Sequence, residues 1–141
     1  MKCVGLIFML LISVRLFSQF APVVYDRQLD SAGWVNLRNA IISVESGGDS
    51  TVVNGSSVGV LQITPVYVAE ANRVLGVEKY CLDDRLSVSK SVEMFEVVQG
   101  AWNKERDLTK AIRLHNPRAG RGYYRMIIGK MTSKVEEVRV E

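Results

Sequence analysis

The strongest constraint on the fold is an apolar stripe at helical spacing that begins near Ser31 and stops at two consecutive glycines, Gly47 and Gly48. Its members stand three or four positions apart, the spacing that puts side chains on one face of an α-helix. They are Trp34, Leu37, Ile41 and Val44, with Ala40 beside them. Asp30 or Ser31 can cap the start. The stripe therefore predicts an amphipathic helix that ends before Gly47.

The polar stretch after this helix predicts a short hairpin and then a second helix. Thr51-Val52-Val53 reads as a strand, and Asn54-Gly55 is typical of a tight primed turn. Thr64 can cap the next helix with Pro65 at its first position. We expect that helix to run to about Leu75, because Gly76 is suited to end it.

Three more helices follow. One starts at Ser87, the next is capped by Asp107 and halted by Pro117, and the last covers residues 123–131 after a turn at residues 120–122. Their apolar stripes hold Val88, Val92, Phe95 and Trp102, then Leu108, Ala111, Ile112 and His115. The charged residues 132–141 lack a stripe and predict a frayed tail.

Some single residues have predicted environments of their own. We expect Trp34, Phe95 and Trp102 in the core, and Cys81 as a small buried hydrophobe. Asp83-Asp84 is predicted to be a solvated turn before the third helix.

Length and composition indicate one globular domain. The chain has 141 residues, 48% apolar and 23% charged, which argues against a disordered or collagen-like chain. The predicted fold class is mainly α, with one small β-hairpin inserted after the first helix.

Residues 1–20 have the order of a secretory signal. A basic Met1-Lys2 precedes a mostly apolar stretch over residues 4–16, and Ser18-Gln19-Phe20-Ala21 gives a small, polar exit. We expect cleavage near residue 20 and export to the periplasm or cell wall, with no stable membrane association afterwards. An uncleaved membrane anchor is the alternative.

Charge and residue inventory exclude several function classes. The net charge is +3, and without Lys2 and Arg15 the chain holds 16 basic and 15 acidic residues, so nucleic acid is not an expected partner. One histidine and two distant cysteines, Cys3 and Cys81, offer no zinc ligand set with the usual spacing. Phosphate-binding and dinucleotide-binding glycine motifs are missing from the sequence. We therefore expect neither metal nor cofactor.

Glu45 is the candidate for acid chemistry. It stands on the last turn of an apolar helix, before a glycine-rich bend. A helix C-terminus and apolar surroundings both disfavour a negative charge, so we expect a raised pKa and a carboxyl able to act as a general acid. By position alone, the alternative is a solvated glutamate at a helix end.

Four short motifs resemble those of the lytic transglycosylases related to goose-type lysozyme. The resemblance covers roughly residues 30–130, and the order and approximate spacing match that family. The motifs are Glu45-Ser46, then Gly59-Val60-Leu61-Gln62-Ile63-Thr64-Pro65, then Leu114-His115-Asn116-Pro117 with Gly120, then Gly122-Tyr123. The resemblance implies an α+β, lysozyme-like domain over residues 21–131, with the hairpin after the helix that carries Glu45.

The resemblance also implies roles for individual residues. Glu45 would be the catalytic acid and base, and the hydroxyl of Tyr123 would support it. Ser46 would order the following loop, and Gly59 would let backbone approach the substrate. Gln62 and Asn116 would line the sugar groove, since amides can bind uncharged hydroxyl and acetamido groups.

The third motif departs most from the family. His115 stands where tyrosine is usual, and Pro117-Arg118 replaces two small residues, while Leu61 replaces a methionine of similar volume. His115 could stack on a sugar, hydrogen-bond nearby or pack at the helix end. We favour packing or structural support, because a single imidazole without a partner is usually structural.

The function implied is cleavage of the β-1,4 bond between N-acetylmuramic acid and N-acetylglucosamine in peptidoglycan, leaving 1,6-anhydromuramyl ends. One alternative is a hydrolytic muramidase, which would need a second carboxylate; Asp49 is the first candidate for it. The other is a non-catalytic domain that binds glycan strands for a secretion or conjugation apparatus spanning the cell wall. We expect a monomer whose partner is the glycan strand.

Overall fold

The computed structural model describes residues 28–137, with side chains through residue 132. The predicted signal segment, residues 1–20, lies outside the described residues. The described chain is mainly helical, with one two-stranded antiparallel sheet. Its elements are α1 (Ser31–Ser46), β1 (Val53–Asn54), β2 (Ser57–Val58), α2 (Pro65–Leu75), a 3-10 turn (Leu82–Leu86), α3 (Val88–Trp102), α4 (Leu108–His115) and α5 (Arg121–Glu137).

The predicted bounds of α1 are confirmed, and both ends are capped. The carboxylate of Asp30 accepts a hydrogen bond from the backbone N–H of Gly33 at 2.7 Å, which satisfies one of the free donors of the first turn. At the other end Gly47 has a φ of 66° and its N–H returns to the carbonyl of Ser43. The helix therefore ends at Ser46, and both Glu45 and Ser46 lie on its last turn.

The hairpin forms, but its turn lies one residue later than predicted. Val53 pairs with Val58 and Asn54 with Ser57, so Asn54 belongs to a strand and Gly55-Ser56 make the turn. The register follows the core, because Val58 is buried and also bridges to buried Ile63. A slip of one residue would turn Val58 away from the core.

The starts of α2 and α4 are capped as predicted, and α3 begins at Val88, one residue later than predicted. The hydroxyl of Thr64 accepts from the N–H of Tyr67 at 3.3 Å, and Gly76 ends α2 in the left-handed conformation. Ser87 caps α3, and Asp107 caps α4 through a 2.7 Å bond from the N–H of Lys110.

A single hydrophobic core joins the helices. α1 packs against α5, and α3 packs against both α2 and α4. Phe95 is fully buried and its ring lies 5.9 Å from the ring of Trp34. These contacts bring the end of α1, the end of α4 and the start of α5 to one place.

The prediction that Trp102 lies in the core is wrong. Its side chain is 45% exposed, because it is the last residue of α3 and leaves the buried stripe. Its indole N–H donates to Glu70 at 2.8 Å, and the guanidinium of Arg73 lies 5.4 Å from its ring centre. Trp102 thus lies on the surface, in a polar setting.

The predictions for the segment before α3 are corrected in part. Cys81 is exposed, not buried, because it precedes the 3-10 turn instead of lying on a helix face. Asp83 and Asp84 lie within that turn, and the carboxylate of Asp84 accepts from the N–H of Cys81 at 2.9 Å.

The last helix is longer than predicted at both ends. It starts at Arg121, so Gly122 is helical, and it continues to Glu137 where a frayed tail was predicted from residue 132. Packing accounts for the extension, because Met131 is buried and its carbonyl accepts from the amide of Asn36 on α1 at 3.0 Å. Over residues 28–137, no helix has the length and apolar character needed to cross a bilayer.

Candidate active site

Glu45 and Tyr123 form the centre of the candidate site. The Tyr123 hydroxyl, on the first turns of α5, donates to Oε1 of Glu45 at 2.5 Å. The side chain of Glu45 is only 17% exposed. The α1–α5 packing therefore joins a shielded carboxyl to a phenol 78 residues away in sequence.

His115 reaches the same carboxylate oxygen from the end of α4. Its Nε2 lies 3.4 Å from Oε1 of Glu45, and its side chain is 3% exposed. The imidazole is held edge-on against Tyr67 and Phe95, with both ring centres 5.9 Å away. Burial to this degree leaves no ring face on which a sugar could stack. His115 therefore packs against Tyr67 and Phe95 and also contacts the carboxylate of Glu45.

The electrostatics of Glu45 differ from the expectation. Burial is the largest influence and raises the pKa, but the hydrogen bonds of His115 and Tyr123 and the charge of His115 act against it, and the net pKa lies below its ordinary value of 4.5. The predicted raised pKa is therefore wrong for the free protein. Helix position alone does not reveal these two contacts, which come from distant segments; the resemblance implied the one from Tyr123 but not the one from His115.

Tyr123 stays a donor across the neutral range. Burial, the hydrogen bond to Glu45 and the charge of Glu45 raise the pKa of its hydroxyl, while Asn116 lowers it slightly. A phenol in this setting holds the carboxylate without ionising.

Ser46 and Asn116 shape the loops on either side of Glu45. The Ser46 hydroxyl donates to the carbonyl of Val60 at 2.9 Å and accepts from the N–H of Gly48 at 3.1 Å. Asn116 caps α4, and its side-chain oxygen accepts from the N–H of Arg118 at 3.1 Å. The Ser46 bonds tie the end of α1 to the loop after the hairpin.

Gln62 braces that loop from within. Its amide nitrogen donates to the carbonyls of Val52 at 3.1 Å and Gly59 at 3.0 Å. Its backbone has a φ of 47°, which is unusual for a residue with a side chain. A strained backbone of this kind persists only where surrounding contacts enforce it. The two hydrogen bonds of the Gln62 side chain are such contacts.

Glycine is required at position 59 for a structural reason that the sequence does not reveal. Its φ is 81°, and a Cβ built on it would lie 1.9 Å from the carbonyl oxygen of Arg85. The close approach is thus to the protein's own backbone, and the predicted approach to substrate is not needed to explain the glycine.

Asp49 stands apart as a carboxylate. It is fully exposed, and its Oδ1 accepts from the hydroxyl of Thr51 at 2.7 Å and from its N–H at 2.8 Å. Those bonds lower its pKa. The described part of the chain also holds no cluster of three histidine, cysteine or acidic side chains able to bind a metal ion.

A mostly apolar groove of about 460 Å³ adjoins His115. α2 contributes Tyr67 and Glu70, and α3 contributes Trp102. Its remaining lining includes Thr64, Val66, Leu114 and Pro117. Sequence reasoning missed this surface, because Trp102 fits the buried stripe of α3 as well as Phe95 does. A larger groove of about 780 Å³, lined by α2 and the segment up to Leu82, includes none of the candidate site residues.

Comparisons with known proteins give no relative. No protein-family model, curated protein or solved structure matches this chain.

Proposed function

We propose that the protein is a murein lytic transglycosylase with a lysozyme-like domain and Glu45 as its catalytic acid and base. The observation that carries the proposal is the shielded carboxyl of Glu45, held at 2.5 Å by the hydroxyl of Tyr123. Both donors use Oε1, and no described residue is bonded to Oε2. That second oxygen is therefore the one able to meet a ligand.

The chemistry needs one carboxyl and no water. The carboxyl of Glu45 gives its proton to the oxygen between N-acetylmuramic acid and N-acetylglucosamine, and the bond from C1 to that oxygen breaks. The acetamido oxygen of the muramic acid closes on C1 and holds the positive charge. Glu45 then removes the proton of the C6 hydroxyl, and the C6 oxygen attacks C1. The bond from C1 to the acetamido oxygen breaks, its electron pair returns to that oxygen, and a neutral acetamido group and a 1,6-anhydro ring result. Such substrate-assisted chemistry is an exception to the use of paired carboxylates.

The groove beside His115 supports a glycan path. Saccharides pack their apolar faces on aromatic rings and bind carboxylates and amides through hydroxyls. Trp102 offers such a ring at 45% exposure, and Glu70 on the same groove offers a carboxylate. We infer that sugars beyond the cleavage point lie along Trp102 and Glu70.

The hydrolytic alternative has less support. A muramidase that activates water needs a placed second carboxylate. Asp49 is the nearest in sequence, yet its Oδ1 is bonded to Thr51 in an exposed turn. Neither of these described bonds directs it towards Glu45.

Product analysis separates the candidate functions. The protein is incubated with purified murein, and the sugar ends are identified by mass spectrometry. Anhydromuramyl ends are expected, whereas reducing ends would establish a muramidase. Retention of glycan strands without cleavage would establish the non-catalytic binding domain of a wall-spanning apparatus.

Export completes the proposal, because murein lies outside the cytoplasmic membrane. We infer that residues 1–20 direct secretion and that the protein acts as a monomer on glycan strands in the periplasm or cell wall. Protein isolated from its source should begin near residue 20, and intact Met1 in its mass spectrum would contradict cleavage.

A further inference from the structure

We propose that His115 is a positioning residue that shares one proton with Glu45, so that the pair, and not the glutamate alone, holds the proton delivered to the glycosidic oxygen. The inference rests on the proposed function and deepens it. It assigns His115 a part in proton transfer, beyond the packing role favoured from the sequence.

The geometry fits proton sharing. Nε2 of His115 lies 3.4 Å from Oε1 of Glu45, a long contact that can shorten when substrate binds. The imidazole cannot turn away, because Tyr67 and Phe95 hold it at ring distances of 5.9 Å. Its 3% exposure excludes bulk water as the ordinary proton partner.

On the far side of the imidazole, none of the described carboxylates binds Nδ1. Nδ1 is buried, and no described residue forms a hydrogen bond with it. In a serine-protease triad an aspartate at this nitrogen stabilises the imidazolium. Without such a partner a proton on His115 gains little beyond its contact with Glu45, so it is available to the carboxylate.

Two other acidic groups on the helices around the imidazole are paired with arginines. Glu45 on α1 and Tyr67 on α2 contact the imidazole, Glu70 on α2 borders the same groove, and Tyr123 on α5 binds the same carboxylate. Glu96 on α3 acts on Tyr67, and Arg113 stands two positions before His115 on α4. Glu70 is bonded to Arg73 at 2.7 Å and Glu96 to Arg38 at 2.6 Å, while Arg113 is exposed. Glu45 is thus the carboxylate in contact with His115.

Sharing a proton resolves the low pKa of Glu45. In the free protein the Glu45 carboxylate is charged beside the imidazole, since the contacts of His115 and Tyr123 hold its pKa below the ordinary value. A bound sugar excludes water and makes the charged pair costly, so the proton moves from Nε2 to the carboxylate and leaves two neutral groups.

The proton is conserved through the cycle. Glu45 gives it to the leaving oxygen as the bond from C1 breaks, and the electron pair of that bond goes to the same oxygen. Glu45 next takes the proton of the C6 hydroxyl as the anhydro ring closes. That proton returns to Nε2 when product leaves, and the pair again holds one proton.

The test compares pH profiles of murein cleavage for wild type, His115→Gln and His115→Phe. A pair titrates with macroscopic pKa values of its own, and ordinary histidine ionises roughly two pH units above glutamate. We expect the alkaline limb of kcat/KM to move to lower pH by about one unit or more in both variants. If kcat/KM fell by the same factor at every pH and the alkaline limb stayed at the wild-type pH, the role of His115 would be structural and the proposal would be overturned.

A second measurement does not need activity or a variant. The ¹³C chemical shift of the Glu45 carboxyl in the wild-type protein should change in two steps across pH 3–9, the upper step coinciding with the ¹⁵N titration of His115. A single step would contradict proton sharing even if the variants failed to fold. A wild-type protein that shows two steps but leaves murein intact would refute the proposed function while leaving the pair in place.

Discussion

The hydroxyl of Tyr123 donates to Oε1 of Glu45 at 2.5 Å and so connects the end of α1 to the start of α5. Neither residue could hold this geometry alone, since a glutamate on the last turn of a helix would otherwise extend into solvent. The contact depends on the packing of α1 along α5, so the candidate site lies on an interface that also stabilises the fold.

Replacing Tyr123 with phenylalanine should weaken cleavage modestly. The variant loses one hydrogen bond, worth about 0.5–1.5 kcal/mol, which corresponds to about two- to tenfold in kcat/KM. Because that bond lowers the pKa of Glu45, the carboxyl of the variant should titrate at higher pH in a ¹³C experiment. An unchanged rate together with an unchanged titration would contradict the contact.

Acid should remove a stabilising contribution from Glu45. Its folded pKa lies below 4.5, since the His115 and Tyr123 contacts outweigh burial, the largest single influence. A carboxylate with a depressed pKa stabilises the fold above its unfolded pKa, and this contribution is lost as pH falls through the folded value. Urea unfolding of wild type and Glu45→Gln should therefore show a stability difference at pH 7 that shrinks below about pH 4.5. A difference that stays constant down to pH 3 would contradict the shift.

Gly59→Ala should destabilise the fold strongly. The new Cβ would lie 1.9 Å from the carbonyl oxygen of Arg85 at a φ of 81°, and we expect a loss of at least about 2 kcal/mol in unfolding free energy. Gly55→Ala is the matched control, because its φ is also positive but nothing lies within 4 Å of its Cβ. It should cost about 1 kcal/mol. Equal losses by chemical denaturation would show that the contact with Arg85 is not the cause.

Trp102→Ala should raise KM more than it lowers kcat. The indole lies in the groove and not at the reacting bond, so its loss removes binding that is the same in the ground and transition states. Val77→Ala, at an exposed position outside that groove, is the control and should leave both constants unchanged. Unaltered KM in the Trp102 variant on murein strands would remove the groove from the glycan path.

The helices that the sequence predicted well are those with local start and stop signals. Asp30, Thr64 and Asp107 each bond to the backbone three residues on, and Gly47 and Gly76 have positive φ. Such signals act within one turn, so a single segment is enough to read them. The hairpin register and the length of α5 depend instead on distant packing.

The candidate site shows the same division. The sequence motifs pointed to Glu45 and Tyr123, which the fold brings into contact. The effect of His115 on the charge of Glu45 arises from two segments that meet only in the folded chain. Gly59 was singled out for substrate access, although its neighbour is Arg85. The motifs singled out residues that meet in the fold, but their contacts with one another depend on packing that a single segment does not encode.

Cleavage by Glu45→Gln tests the central claim most directly. The amide keeps the shape of the side chain but cannot deliver a proton, so the variant should remain folded by circular dichroism while anhydromuramyl ends disappear from digests of purified murein that the wild type cleaves. Anhydromuramyl ends released by the folded variant at a near-native rate would contradict the account.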